Sequence, residues 1–386
     1  MRIAFVSTVK NEEDLIAANI RFHGFIGGTD FLIYIDNSSD RTEAIARTLL
    51  GVRIKRSLIP SHCNGTAKHA SLNSKFRTHH TARQILNCYD AIEWGRHNAV
   101  DWIVSLDPDE LICLDRNEIR RGMLAEFLGT LPNHVDAVTF PSLEVIPTRM
   151  AYREVFREER WFKRNYGFGE GMRFQSSDAG PNLEPGLGSA PAGVLARDEA
   201  TYKWREASKA WNNHLLFDPD RDESSDYVLD VPPLMMSPNA VGHRLVTDWY
   251  TGHVIGKQAF RIDRDLRIVN LHKIQTSSGH PECMISTGWL LHYNNYSARK
   301  FVMKYRQSAA HPNSYSSGFP VDPAKRLLRD MVNHPRARLE RLYGFFRERF
   351  LFEEYRLAGA LDLWPHSVER IDAVAEFFEA RRWGTV

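Results

Sequence analysis

Hydrophobic residues in the first part of the chain fall into short, nearly continuous runs separated by longer amphipathic segments. Runs that are apolar throughout are typical of strands buried on both faces of a sheet. The predicted strands comprise residues 2–8, 31–35, 52–57, 102–106 and 135–140, and the clearest predicted helices comprise residues 78–96 and 117–131. Strands that alternate with helices at this spacing predict an α/β fold with a mostly parallel sheet flanked by helices.

The pattern divides the chain into four predicted regions. Regular alternation fills residues 1–145, and residues 146–250 are rich in Gly, Pro, Asp and Arg, which is typical of a long insertion. Strand-like runs return in residues 251–305, and residues 306–386 have a helical pattern. We therefore expect one α/β unit that is interrupted by the insertion and followed by a helical C-terminal region.

Composition narrows the classes of function. The 386 residues are 43% hydrophobic and 25% charged, and the net charge of +2 does not favour nucleic acid as a partner. No apolar run approaches the ~20 residues that span a bilayer, and the N-terminus has no signal-peptide pattern. The cysteines have no metal-ligand spacing, which favours reduced thiols at Cys63, Cys88, Cys113 and Cys283. We expect a cytoplasmic protein.

Three acids directly follow the most apolar run. Residues 102–106 predict a central strand, and Pro108 ends it because proline cannot pair within a sheet. Asp107, Asp109 and Glu110 are therefore expected at the carboxyl edge of the sheet, where α/β proteins bind ligands. Neighbouring carboxylates repel one another, and Mg²⁺ or Mn²⁺ is the usual counter-ion. An acidic surface turn is the alternative.

Other strand ends also carry polar groups. Asn11 and Glu12 follow the first strand, Asp36 follows the second, and Glu144 follows the strand after the acids. On a parallel sheet these ends share one edge, so we expect the groups to converge. Asn11 is also a suitable N-cap for the first helix.

These motifs resemble those of the glycosyltransferase family 2-like group and of glycosyltransferase family 92. The matching segments are Val-Lys-Asn-Glu (9–12), Ile-Tyr-Ile-Asp-Asn-Ser-Ser-Asp-Arg-Thr (33–42), Trp-Ile-Val-Ser-Leu-Asp-Pro-Asp-Glu (102–110), Ile-Gly-Lys (255–257), Val-Asn-Leu-His (269–272) and Leu-His-Tyr-x-x-Tyr-Ser (291–297) leading to Lys304. The resemblance implies a GT-A (Rossmann-like) fold, a nucleotide-sugar donor that is most often UDP-linked, a glycan or glycoconjugate acceptor and a divalent metal. Residues 251–305 would then complete the active site. Independently of the resemblance, the loop-rich composition of residues 146–250 favours a lid or an acceptor-binding region.

The resemblance also implies roles for individual residues. Asp36 would contact the nucleobase or ribose, beside Lys10, Asn11 and Glu12, and we include Arg83 among the donor-binding residues. Asp107 and Asp109 would hold metal and pyrophosphate, although Pro108 stands where the family usually has Ala. A later metal ligand would come from His272 or His292, and Lys257 would pair with a donor phosphate.

An inverting mechanism, as in family 92, requires a general base that accepts the proton of the acceptor hydroxyl. The family's usual residues are absent at this point of the sequence. Glu144 is the first candidate, and Asp218 in the insertion is the second.

Each assignment has a structural alternative. Asp36 suits a turn, Glu144 a surface or capping position, Lys257 a solvated position, and His272 and His292 a polar core position. His79 and His80 favour helix surface over a ligand role. Residues 336–350 predict either a packed amphipathic helix or contact with the inner face of a membrane near lipid-linked acceptors.

Two other functions compete with sugar transfer. Sugar nucleotidyl transfer uses a related sheet but normally needs a glycine-rich phosphate loop, which residues 8–12 lack. A non-catalytic glycan- or nucleotide-binding protein on the same fold is the third hypothesis.

Overall fold

The computed structural model describes residues 1–163, 256–263, 266–270, 273–276, 284–309, 329, 332–334, 337–354 and 368–381. The strands in these ranges are β1 (Ile3–Val9), β2 (Asp30–Ile35), β3 (Val52–Arg56), β4 (Trp102–Ser105), β5 (Glu110–Cys113), β6 (Ala137–Phe140), β7 (Ser142–Val145), β8 (Trp161–Lys163), β9 (Lys257–Arg261), β10 (Leu266–Asn270), β11 (Lys273–Thr276), β12 (Met284–Ser286), β13 (Trp289–His292) and β14 (Val368–Arg370). The helices are α1 (Ile16–Ile26), α2 (Thr42–Arg47), α3 (Ala70–Lys75), α4 (His80–His97), α5 (Met123–Thr130), α6 (Val155–Glu158), α7 (Ala298–Ala309), α8 (Leu339–Arg349) and α9 (Ala373–Ala380), with a 3-10 turn at Ala67–His69.

A seven-stranded sheet forms the centre of the fold, in the order β12-β6-β9-β4-β1-β2-β3. Strand β1 pairs in parallel with β2 and β4, and β2 pairs in parallel with β3. Strand β9 runs antiparallel between β4 and β6. The expected fold class, an α/β protein with a mostly parallel central sheet flanked by helices, is confirmed.

The central strands of this sheet are buried on both faces, which explains their continuous apolar runs. Successive side chains of a strand point to opposite faces. Phe5 and Trp102 therefore belong to the core cluster that includes α1 and α5, whereas Val6 and Ile103 belong to the cluster beneath α4. A strand covered on both sides has no position for an exposed polar residue, so every residue of β1 is buried.

Residues 106–109 form the acidic loop between β4 and β5. A second sheet lies beyond it, in the order β14-β8-β7-β13-β5. Strand β13 pairs antiparallel with β5, which aligns His292 with Glu110, and parallel with β7, which aligns His292 with Glu144. We expected Glu144 at the end of a main-sheet strand, and this was wrong. The main-sheet strand β6 ends at Phe140, and Glu144 lies within β7 because the chain passes through Pro141 into the second sheet.

Two local expectations are also corrected. Helix α1 begins at Ile16, so Asn11 is not its N-cap; Asn11 has a positive φ of 57° in the connection after β1. The C-terminal region is not wholly helical, because Val368–Arg370 forms a strand that pairs with β8.

Helices α7 and α8 pack against each other through an aromatic cluster. Phe301 of α7 stacks with Phe345 and contacts Phe346 and Phe350, and all four rings are buried. The apolar face of α8 is therefore covered by this chain, as the packed-helix interpretation predicted, and the membrane-contact alternative is unsupported. Among the described residues, no helix is long and apolar enough to cross a membrane.

Candidate functional site

Helix α1 holds the acidic loop that joins β4 to β5. The Asn19 side-chain amide donates to the backbone carbonyls of Pro108 (3.0 Å) and Glu110 (2.8 Å). His23 lies beside Asn19, and its Nε2 accepts from the Ile112 backbone N–H at 3.3 Å. Burial lowers the pKa of His23 to about 3, so its ring is neutral and able to accept. This network fixes the backbone on both sides of Asp109.

The negative charge of Asp107 is balanced by a lysine side chain of the same chain. The Lys257 ammonium donates to Asp107 at 2.8 Å and lies 3.5 Å from Glu110, and Gln84 donates to the other oxygen of Asp107 at 3.1 Å. Lys257 is only 2% exposed at its side chain. Burial raises the pKa of Glu110 to about 7 despite the opposing charge of Lys257. The predicted contact between Lys257 and a donor phosphate stays a prediction, and the amine that would make it already pairs with two acids.

Asp109 faces His292, which Glu144 holds from behind. His292 Nδ1 donates to Glu144 at 2.6 Å, and its Nε2 lies 3.5 Å from Asp109. Burial lowers the pKa of His292, but the charges of Glu144 and Asp109 outweigh it and raise the pKa to about 10. A carboxylate behind an imidazole whose other nitrogen faces an acid is the usual environment of a metal-binding histidine.

These residues fit a divalent cation only in part. Among the described residues, no group of three or more His, Cys, Asp or Glu side chains is arranged to hold a metal ion. Asp109, with its side chain 23% exposed, and His292, once metal binding displaces its proton, offer one carboxylate and one imidazole, a pair that suits Mn²⁺. Such cations commonly take their other ligands from substrate phosphates and water. The donor set therefore fits a metal that arrives with a diphosphate.

Asp36 directly follows β2, and side chains of α4 hold it in place. Arg83 donates to both carboxylate oxygens, at 2.9 and 2.8 Å, and His80 Nδ1 donates at 2.6 Å. Burial favours the neutral acid, yet these hydrogen bonds outweigh it and hold the pKa of Asp36 well below its usual range. The side chain of His80 is 35% exposed at the start of α4, and its contact with Asp36 was not predicted. Its position three residues before Arg83, on one helix face, is the signal that sequence reasoning missed.

The connection after β1 joins the loop after β2. Asn11 Oδ1 accepts from the Ser39 backbone N–H at 2.8 Å, and the Asn11 N–H donates to Ser38 at 3.1 Å. Lys10 precedes these contacts at the end of the strand. Because β4, β1 and β2 are adjacent and parallel, neighbouring strand ends lie about 4.8 Å apart. The predicted polar groups of residues 10–12, 36, 107 and 109 thus share one edge of the sheet.

Helix α7 brings two further cations to this edge. Lys300 Nζ contacts Glu12 at 2.7 Å, and Lys304 donates to Asn294. Burial raises the pKa of Glu12 to about 7, although Lys300 opposes the shift. The sequence predicts no role for Lys300, and it places Lys304 only at the end of a motif. The predicted site residues Asp218 and His272 lie outside the described residues.

Comparison with known proteins gives limited similarity. No family model matches the chain. Two Arabidopsis thaliana proteins named glycosyltransferase-like match in part. At3g57200 is 26% identical over 212 residues, which cover 50% of this chain and 41% of that protein. At2g41451 is 27% identical over 157 residues, which cover 38% of this chain and 34% of that protein.

The chain thus spans less than half the length of these relatives. The chain is thus similar to glycosyltransferase-like proteins over part of their length, and the predicted membership of family 2-like or family 92 stays a prediction.

Solved structures show only distant likeness. Glucosyl-3-phosphoglycerate synthase from Mycobacterium tuberculosis, solved with Mn²⁺, UDP and glucosyl-3-phosphoglycerate, is 16% identical with a TM-score of 0.22 and covers 37% of this chain and 44% of its own. TarS from S. aureus is 10% identical with a TM-score of 0.28 and covers 100% of this chain and 93% of its own. Scores this low carry no argument about the site.

Proposed function

We propose that this chain is a metal-dependent, inverting glycosyltransferase of the GT-A type. It moves a sugar from a nucleotide-sugar donor, UDP-linked, to a hydroxyl of a glycan or glycoconjugate. The observation that supports this most is the pairing of Asp109 with the Glu144-held His292, beside Asp107, at the carboxyl edge of parallel strands. The names of the two plant relatives agree with it.

The nucleoside and the diphosphate of the donor would bind to different residues of the site. Asp36 is 5% exposed at its side chain, so it would act on the ribose or the base through Arg83 and His80, which it holds in place. Asp109 and His292 would hold the divalent cation, which neutralises charge on the leaving diphosphate when it is bound. Asp107 would stay paired with Lys257 and keep the acidic loop in shape.

Glu144 is better suited to orient His292 than to act as the base. Its carboxylate is 3% exposed at the side chain and accepts from His292 at 2.6 Å, so an acceptor hydroxyl has little access to it. A general base must come within hydrogen-bond reach of the proton that it takes. Of the two predicted bases, Asp218 therefore becomes the favoured candidate.

Donor hydrolysis tests this proposal. Purified protein would be incubated with a panel of nucleotide sugars, with Mn²⁺ or with a chelator, and release of the nucleotide measured. We expect slow hydrolysis of one donor that requires the metal, and a loss of about 100-fold in Asp109→Asn because transition-state charge is no longer neutralised. Asp115→Asn, an exposed acid beyond β5, is the matched control and should be unchanged. Equal hydrolysis by Asp109→Asn, or none of any donor, would refute the proposal.

A further inference from the structure

Lys300 and Lys304 lie four residues apart on α7 and therefore project from the same face of the helix. Lys300 reaches Glu12 in the connection after β1 and is 14% exposed at its side chain. Lys304 donates to the neutral side chain of Asn294, just after β13. The pair thus lies between the end of β1 and the strand that carries His292.

Both ammonium groups also act on Asp109. Burial disfavours the charge of Asp109, and the positive charges of His292, Lys304 and Lys300 stabilise it. Both lysines are therefore near enough to Asp109 for their charges to act on it.

Lys257 is placed differently. Its ammonium is enclosed between Asp107 and Glu110, at 2.8 and 3.5 Å, with the side chain 2% exposed. Moving it to a ligand would leave the buried Glu110 and the partly buried Asp107 without their cation, which is costly. To bind a ligand, Lys304 would lose only its hydrogen bond to the neutral amide of Asn294. Lys300 would lose its ion pair with Glu12, whose side chain is 25% exposed and can be solvated.

We propose that Lys300 and Lys304 form a cradle for the sugar-bearing phosphate of the donor diphosphate. This proposal rests on the proposed function, and it identifies the cationic side chains that would bind the leaving nucleoside diphosphate. During transfer the bond between the anomeric carbon and the phosphate oxygen breaks, and its electron pair stays on the nucleoside diphosphate. The acceptor oxygen forms the new bond, and its proton passes to the general base. The two ammonium groups stabilise the charge that develops on the departing phosphate.

Comparing UDP with UMP tests the cradle, since only UDP carries the second phosphate. Both nucleotides would be titrated calorimetrically, with saturating Mn²⁺, into the wild type, Lys300→Met, Lys304→Met and the double variant. Each single substitution should weaken the binding of UDP about tenfold, as expected for the loss of one hydrogen bond to a charged group. Affinity for UMP should change less than twofold. Arg306→Met, an exposed position on the same helix, is the matched control and should bind UDP as the wild type does. Lys304→Arg keeps the positive charge and should retain most of the affinity for UDP.

The outcomes separate the cradle from the proposed function. A wild type that binds UDP, with a double variant that binds it equally well, overturns the cradle alone. Equal weakening of UDP and UMP also overturns it, because the lysines would then support the fold or the nucleoside site. A wild type that binds neither nucleotide overturns the proposed function, and the cradle with it.

Discussion

The Asn19 side chain connects α1 to the acidic loop, and removing it gives the sharpest prediction about how the site is held. In Asn19→Ala the backbone carbonyls of Pro108 and Glu110 both lose their donor in a buried environment. Each buried acceptor left without a partner costs about 1–3 kcal/mol, so we expect a loss of roughly 2–6 kcal/mol in the free energy of unfolding. Asn19→Asp should cost at least as much, because an acceptor would then face two carbonyls.

Denaturant unfolding and Mn²⁺-dependent UDP binding would be measured on the same variants. The loop backbone carries Asp107 and Asp109, so Asn19→Ala should displace their side chains. We therefore expect the affinity for UDP to fall about tenfold as well. Leu128→Ala, a buried position on α5, is the control for stability alone and should cost about 2–5 kcal/mol without changing UDP affinity. A loss below about 0.5 kcal/mol in Asn19→Ala, or an affinity loss no larger than that of Leu128→Ala, would refute the reasoning.

Three further predictions follow from single contacts. The pKa of folded Asp36 lies below its unfolded value of about 3.9, so its charge stabilises the fold above that pH and the benefit fades as the pH falls. Asp36→Asn should therefore be less stable than the wild type at pH 7 and approach it in acid, as measured by urea unfolding; a constant difference would contradict this. Gly256→Ala should destabilise the fold, because a Cβ there would lie 1.8 Å from the Phe140 carbonyl oxygen; an unchanged melting temperature would contradict the close approach. Glu144→Gln should keep the fold, as judged by circular dichroism, yet reduce Mn²⁺ affinity about 10- to 100-fold; wild-type affinity would exclude the orienting role.

Local patterns predicted the main sheet well because its central strands are covered on both faces. The runs at residues 31–35 and 102–106 are buried except at Ser105, and the acids after the second run lie at the expected edge. The same reasoning failed for Glu144 because Pro141 carries the chain into a second sheet, and periodicity within a strand does not say which sheet the strand joins.

Long-range pairings account for the rest of what sequence reasoning missed. Strand β9 inserts antiparallel between β4 and β6, which places Lys257 against Asp107 across a sequence separation that no local pattern encodes. Likewise Lys300 meets Glu12 only because α7 packs back toward the end of β1. Asn19 resembled an ordinary helix residue, because its importance comes from the loop carbonyls that it contacts.

The central claim is that Asp109 and His292 bind a divalent cation together with a nucleoside diphosphate. Calorimetric titration of UDP into the wild type and Asp109→Asn, each with Mn²⁺ and with a chelator, tests it most directly. We predict binding by the wild type with Mn²⁺ and loss of that binding with chelator or in Asp109→Asn. Equal UDP affinity with and without the metal would contradict the claim.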